Sequence, residues 1–193
     1  MIEVKNLDFT YPGNSEKTIK NISFSIEKGE IFGFLGPSGA GKSTTQKILI
    51  GILKRYSGKV SVYGSEISEV EGDFYNNIGV SFEFPNLFSK LTGRENLNFF
   101  TSLYKTGKNR TSELLKMVDL SDAADKRVSD YSKGMKMRLN FCRSLVHDPE
   151  IIFFDEPTSG LDPLNGKRIK DIIRGLKEQG KTIFLTTHNM NVA

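Results

Sequence analysis

The sequence has no tryptophan, one cysteine (Cys142) and only two histidines, His147 and His188. A lone cysteine excludes an intramolecular disulfide framework and a cysteine-based zinc cluster, and it fits a reducing compartment. Two histidines argue equally against a histidine-rich metal site. Long apolar runs are missing too. The longest, such as Ile151-Ile152-Phe153-Phe154, fall far short of the ~20 residues that span a bilayer. The start, MIEVKNLDFT, lacks the apolar centre of a signal peptide. Secreted and membrane-spanning classes are therefore not expected. There are no internal repeats or low-complexity tracts, and neither sign of charge dominates, with 27 Lys and Arg scattered among 23 Asp and Glu. That mild basic balance permits anionic partners without choosing among nucleotide, RNA and lipid headgroups. What remains is an ordinary globular composition, 37% apolar and 26% charged over 193 residues. It suits one domain, or one domain carrying a small lobe.

Hydrophobic spacing orders the chain. Ile2, Val4, Leu7, Phe9 and Tyr11 roughly alternate with polar residues and predict a half-buried strand, closed by the turn residues Pro12-Gly13-Asn14. Ile22, Phe24 and Ile26 predict a second strand pairing antiparallel nearby. Ile31-Phe32-Gly33-Phe34-Leu35 is almost wholly apolar and reads as a strand buried on both faces. A glycine-rich loop follows, then a helical stretch to about Leu53, with short strands at Val60–Val62 and Ile78–Phe82. From about 86 to 146 only helical patterns occur. Thr92 and Glu95 have capping-box spacing before a helix through about Tyr104, residues 111–118 form a shorter one, and Ser132 opens another reaching about Val146. Strand 151–154, a helix opening at Asp162-Pro163 and strand Thr182–Thr186 complete the pattern. The expectation is a helical lobe inserted in a sheet-based core.

Chemistry concentrates at two places. Gly36-Pro37-Ser38-Gly39-Ala40-Gly41-Lys42-Ser43 matches G-x-x-x-x-G-K-[ST] after a strand and before a helix. Its glycines let backbone N–H groups converge on phosphate oxygens, and the next helix adds its positive end. Lys42 suits the β- and γ-phosphates and the Ser43 hydroxyl suits Mg2+. Chance alone rarely puts such a loop between a strand and a helix, so it reads as a nucleoside-triphosphate site. The second place is the apolar run that ends in Asp155-Glu156. Open α/β sheets bind ligands at the carboxyl ends of their strands. There Asp155 suits Mg2+ and Glu156 suits the polarising of an attacking water. By itself an apolar run ending in acids would read as a strand tip in solvent; the phosphate loop changes that.

In this order the motifs resemble the nucleotide-binding subunits of ABC transporters, over nearly the whole chain. Tyr131-Ser132-Lys133-Gly134-Met135 occupies the place of the family's LSGGQ signature, and Ser159-Gly160-Leu161-Asp162 that of its D-loop. The resemblance implies that Tyr11 stacks on adenine, that residues 36–44 including Thr44 bind the nucleotide, and that Asp155-Glu156 is the Walker B pair. It makes His188 the switch histidine and implies that Ser132, Lys133 and Gly134 bind ATP held by an opposite subunit. The fold class it implies is α/β: a phosphate-loop ATPase core with a mostly parallel sheet, a small antiparallel β subdomain and an inserted helical lobe at about 86–146. Without the resemblance, Ser132 reads as a plain helix cap, His188 as structural and Tyr11 as a buried strand residue.

The chain departs from the family in three ways. Glu83, in Ser81-Phe82-Glu83-Phe84-Pro85, stands where the Q-loop glutamine belongs, so a carboxylate would meet the metal and repel phosphate. The signature carries Tyr131, Lys133 and Met135 where Leu, Gly and Gln are usual. The chain also stops five residues after His188, where family members continue, so it reads as lacking its C-terminal part. The implied function is ATP hydrolysis with Mg2+, powering export through a separate transmembrane permease at the cytoplasmic face of the membrane. The SKGM-type signature and FEFPNLF segment look most like ABC-2-type exporters. A homodimer or heterodimer of ATP-binding subunits is expected, and a nucleic-acid partner is not. A soluble, non-transport ABC ATPase acting on ribosomes or nucleic acid is the rival, but two tandem cassettes or a long coiled-coil insertion would mark it, and this chain shows neither.

Overall fold

The computed structural model describes residues 1–105 and 109–188. The first alternation forms β1 (Ile2–Phe9), with Ile2, Val4, Leu7 and Phe9 buried. It pairs antiparallel with β2 (Ile19–Ile26) on one side and β4 (Ser57–Val62) on the other, and β5 (Ser65–Glu66) completes a four-stranded sheet. The alternation overshoots at its end. The ladder stops at Phe9, and Tyr11 opens a turn in which the Asn14 N–H donates to the Tyr11 carbonyl at 3.0 Å.

A second, parallel sheet has the order β3 (Ile31–Leu35), β8 (Thr182–Thr187), β7 (Ile151–Asp155), β6 (Ile78–Ser81). Alternate residues of its central strands serve two cores. Ile151, Phe153 and Phe184 pack with the antiparallel sheet and helix α1 (Lys42–Leu49), while Ile152, Phe154, Ile183 and Leu185 pack with the remaining helices. Burial on both faces is why these strands read as unbroken apolar runs. Strand β3 is less buried than its run suggests. Among the described residues its one strand neighbour is β8, and Gly33 and Leu35 are exposed, while Phe32 and Phe34 pack against Phe24 and Phe184 on one face and half-buried Ile31 packs against the other core. Helix α1 also ends earlier than its pattern, at Leu49 rather than Leu53. Gly51 takes φ +74° there, and a Cβ on it would press to 2.9 Å from Val70 Cγ2.

The region from 86 to 146 is helical as its spacing predicts, with α2 (Gly93–Ser102), α3 (Thr111–Met117) and α4 (Lys133–Arg143). Thr92 and Glu95 form the capping box: Glu95 N–H donates to Thr92 Oγ1 at 3.1 Å, and Thr92 N–H to Glu95 Oε2 at 2.8 Å. Helix α4 stops at Arg143, short of Val146, because the Ser144 and Leu145 N–H groups bond three residues back and tighten the chain into a turn. Its Phe141 ring stacks on Phe154 at 4.7 Å, which fixes the helix to the parallel sheet. Helix α5 (Pro163–Glu178) covers the same face through Ile169, Ile173 and Leu176.

One contact ties the start of α2 to the segment before α4. Buried Tyr131 donates its hydroxyl to the Ala123 carbonyl at 2.6 Å, and a Cβ on Gly93 would overlap that hydroxyl. Gly93→Ala is therefore expected to lower stability by about 1–3 kcal/mol through overpacking. Tyr131→Leu, which removes the ring and hydroxyl, should recover part of that loss. Thermal melts of the single and double variants measure both.

Candidate active site

The phosphate loop is built on two left-handed glycines, Gly39 at φ +83° and Gly41 at φ +86°. Gly41 is doubly constrained, since a Cβ would also approach the Thr18 carbonyl oxygen to 3.0 Å. As N-cap of α1 it brings no side chain to the first turn, which leaves that turn's N–H groups available to an anion. Buried Lys42 donates from its ammonium to the carbonyls of Gly36 at 2.7 Å and Pro37 at 2.9 Å. Ser43 donates to Asp155 Oδ1 at 3.2 Å, bringing the loop to the tip of β7. Tyr11 packs edge-on against Phe9, and its hydroxyl lies 3.2 Å from Thr44 Oγ1.

Strand β7 delivers the two acids in different settings. Asp155 is its last residue, opposite Thr186 in the parallel register, and Oδ1 also accepts from the Thr186 hydroxyl. Glu156 leaves the strand at φ +48°, a left-handed conformation that costs a non-glycine residue about 1–2 kcal/mol. The tip of β8 holds it there. Glu156 N–H donates to the Thr186 carbonyl at 3.0 Å. Its Oε1 accepts from the His188 N–H at 2.8 Å and lies 2.7 Å from His188 Nδ1, while Oε2 accepts from the Thr187 hydroxyl at 3.1 Å.

A cleft of about 260 Å3 joins these parts, with Ser38, Lys42, Ser43 and Thr44 on one side and Glu83, Glu156 and His188 on the other. The structure thus brings Glu83 into the same cavity as the phosphate loop. It does not bring the signature residues there. Ser132 caps α4, accepting from Met135 N–H at 3.2 Å. The Lys133 chain lies across Gly160, where a Cβ would meet its Cε at 2.9 Å. Asp162 caps α5, and the N–H groups of Asn165 and Leu164 hold its carboxyl below the usual range.

Thr18, Thr186 and Thr187 belong to the site and were not singled out from the sequence. The signal for the last two was their place just before His188, at the end of a strand beside the acids. The oxygens of Ser43 and Asp155 suit a hard cation that completes its shell with water and phosphate. Among the described residues, no three of His, Cys, Asp and Glu gather as an all-protein metal cage.

Comparison with known proteins decides the family. The family model for the ABC transporter matches residues 19–159. The chain belongs to the ABC transporter family. It is 55% identical over 193 residues to the fluoroquinolones export ATP-binding protein of Mycobacterium tuberculosis, covering 100% of this chain and 64% of that one. It is 37% identical over 187 residues to the bacitracin transport ATP-binding protein of Bacillus licheniformis, covering 96% of this chain and 61% of the relative. The chain therefore spans a little under two thirds of these relatives' length. Among solved structures, a dimeric ATP-binding cassette in a post-hydrolysis state bound to ADP and Pi superposes with TM-score 0.91 at 32% identity, covering 100% of this chain and 90% of that one. The ABC cassette fold expected from the motifs is thus the fold observed. Among the described residues of this ABC protein, no helix is long and apolar enough to cross a membrane.

Proposed function

We propose that the chain is the ATP-binding and ATP-hydrolysing part of a transporter subunit that powers export through a separate transmembrane permease. The observation that carries the reading is the convergence of Lys42, Ser43, Glu156 and His188 on one cleft, with Asp155 bonded to Ser43 beneath it. Lys42 now bonds two neutral carbonyls, and phosphate oxygens are the stronger partners for an ammonium. Residues 36–44 hold the triphosphate, with Tyr11 stacking on adenine. Ser43 and Asp155 hold Mg2+, which supplies charge neutralisation on the phosphates when bound. Glu156 orients the attacking water, and His188 donates a hydrogen bond toward the γ-phosphate.

Ser132, Lys133 and Gly134 lie outside this chain's cleft, which supports the reading that they serve nucleotide on a second subunit. Their glycine argues the same way. A Cβ on Gly134 would make only an ordinary 3.6 Å contact with Leu161, so the chain's own packing does not require glycine there. The space beside it leaves room for a ligand or partner to approach the backbone.

Residues 86–146 are read as the lobe that docks on the permease. Helix α4 holds both ends of the segment entering it: Asn140 donates to Ser81 Oγ at 3.0 Å and the Phe82 carbonyl at 2.8 Å, and Arg143 to the Asn86 carbonyl at 2.7 Å. Glu83 lies between those anchors. Next to it in the chain Phe84 is 75% exposed, and Phe88 and Phe99, whose rings meet at 4.9 Å, are exposed at 46% and 42%, the kind of exposed aromatic surface that marks a protein interface. The relatives named for fluoroquinolones export and bacitracin transport support an exporter at the cytoplasmic face of the membrane.

Phosphate release by the full-length protein tests the reading: it should require ATP and a divalent cation. Glu83 then makes a further demand. If it meets the metal, Glu83→Gln should shift the Mg2+ dependence of hydrolysis while leaving metal-free nucleotide affinity nearly unchanged. Superimposable Mg2+ titrations would remove Glu83 from the metal site.

A further inference from the structure

Glu156 is a flexible side chain in an uncommon backbone state. Its terminal torsion is broad, so packing alone does not choose the plane of the carboxylate. Hydrogen bonds do, and the two oxygens are treated differently. Oε1 faces His188, whose side chain is 57% exposed and lines the same cleft as Glu156. Oε2 accepts from the Thr187 hydroxyl at 3.1 Å, where Thr187 is 0% exposed. Strand β8 is buried along its whole length. A valine would fill the volume of Thr187 in such a strand with better burial, so the hydroxyl is a cost unless it is used.

We propose that Thr187 is a positioning residue for Glu156, its hydroxyl fixing Oε2 so that Oε1 alone is presented to the cleft. This rests on the reading of Glu156 as the group that orients the attacking water. While the His188 N–H and ring nitrogen both lie on Oε1, the carboxylate is parked. Once the ring turns toward nucleotide, the N–H bond stays and the freed side of Oε1 meets water in a plane already set, with no reorientation left to the moment of reaction. Thr187 touches neither substrate nor metal in this scheme, so its loss acts on the chemical step and not on ATP affinity.

The test compares full-length wild type, Thr187→Val, Thr187→Ser and Glu156→Gln for kcat and KM in ATP hydrolysis, with thermal melts for each. A hydrogen bond to a charged group corresponds to about tenfold to a hundredfold in rate. Thr187→Val should lose that much kcat with KM within about twofold of wild type, and Thr187→Ser should restore it. In the Glu156→Gln background, Thr187→Val should add little, since the two act as one unit. A Thr187→Val protein with wild-type kcat overturns the proposal, as does Thr187→Ser as slow as the valine variant. Unchanged hydrolysis in Glu156→Gln, or none in wild type, overturns the hydrolytic reading with it. A crippled Glu156→Gln beside an unaffected Thr187→Val overturns the Thr187 role alone.

Discussion

Replacing Glu156 by glutamine is expected to slow ATP hydrolysis by about 10²–10⁴-fold, the usual worth of a positioned general base, while ATP binding survives. The substitution keeps the shape and removes the charge. A glutamine carbonyl oxygen can still accept from the His188 N–H, and the Thr187 hydroxyl can turn to accept from the amide, so the local network closes again. The phosphate loop lies across the cleft and is not disturbed. Phosphate release and binding of a fluorescent ATP analogue, measured on the full-length protein, separate the two effects. Unchanged turnover would remove Glu156 from the mechanism.

The same variant should convert ATP from a substrate into a clamp. Full-length Glu156→Gln is expected to be monomeric without nucleotide and dimeric with Mg-ATP, a doubling of mass visible by light scattering. The expectation rests on the proposed role of the signature segment: Ser132 and Gly134 do not line the chain's own cleft, so any nucleotide they bind would be held by a second copy. Gly134→Asp in this background should abolish the nucleotide-dependent dimer, because a carboxylate there repels the partner's phosphates. The melting temperature should hardly change, as the position tolerates a Cβ. One mass with and without Mg-ATP in Glu156→Gln would count against the sandwich.

Helix starts were the most legible feature of the sequence. Thr92 with Glu95, Ser132 and Asp162 all cap the helices their spacing announces, since a cap is a bond across two or three residues. The phosphate loop was equally plain, because Gly41 must be glycine for reasons of backbone conformation and of clearance from Thr18. Strand β3 was harder to read for the opposite reason. An apolar run does not say which strands will lie beside it, and the pairing of Ile31–Leu35 with Thr182–Thr187 joins segments far apart in sequence. Tyr11 shows the same limit at smaller scale, as alternation continues past the point where β1 runs out of partners.

The sequence by itself therefore determined the family, the phosphate loop, the paired acids and the helix starts, all of which are written in residues a few positions apart. Tertiary structure decided which groups meet those acids. Thr186 and Thr187 lie 31 residues from Asp155 and Glu156 and reach them only through the parallel register of β8 on β7. The path of the chain into and through the helical region likewise sets Glu83 in the cleft and leaves Ser132 out of its lining. Hydrogen bonds within one turn follow from local chemistry, whereas contacts across a sheet depend on strand order and register, which no short stretch of sequence encodes.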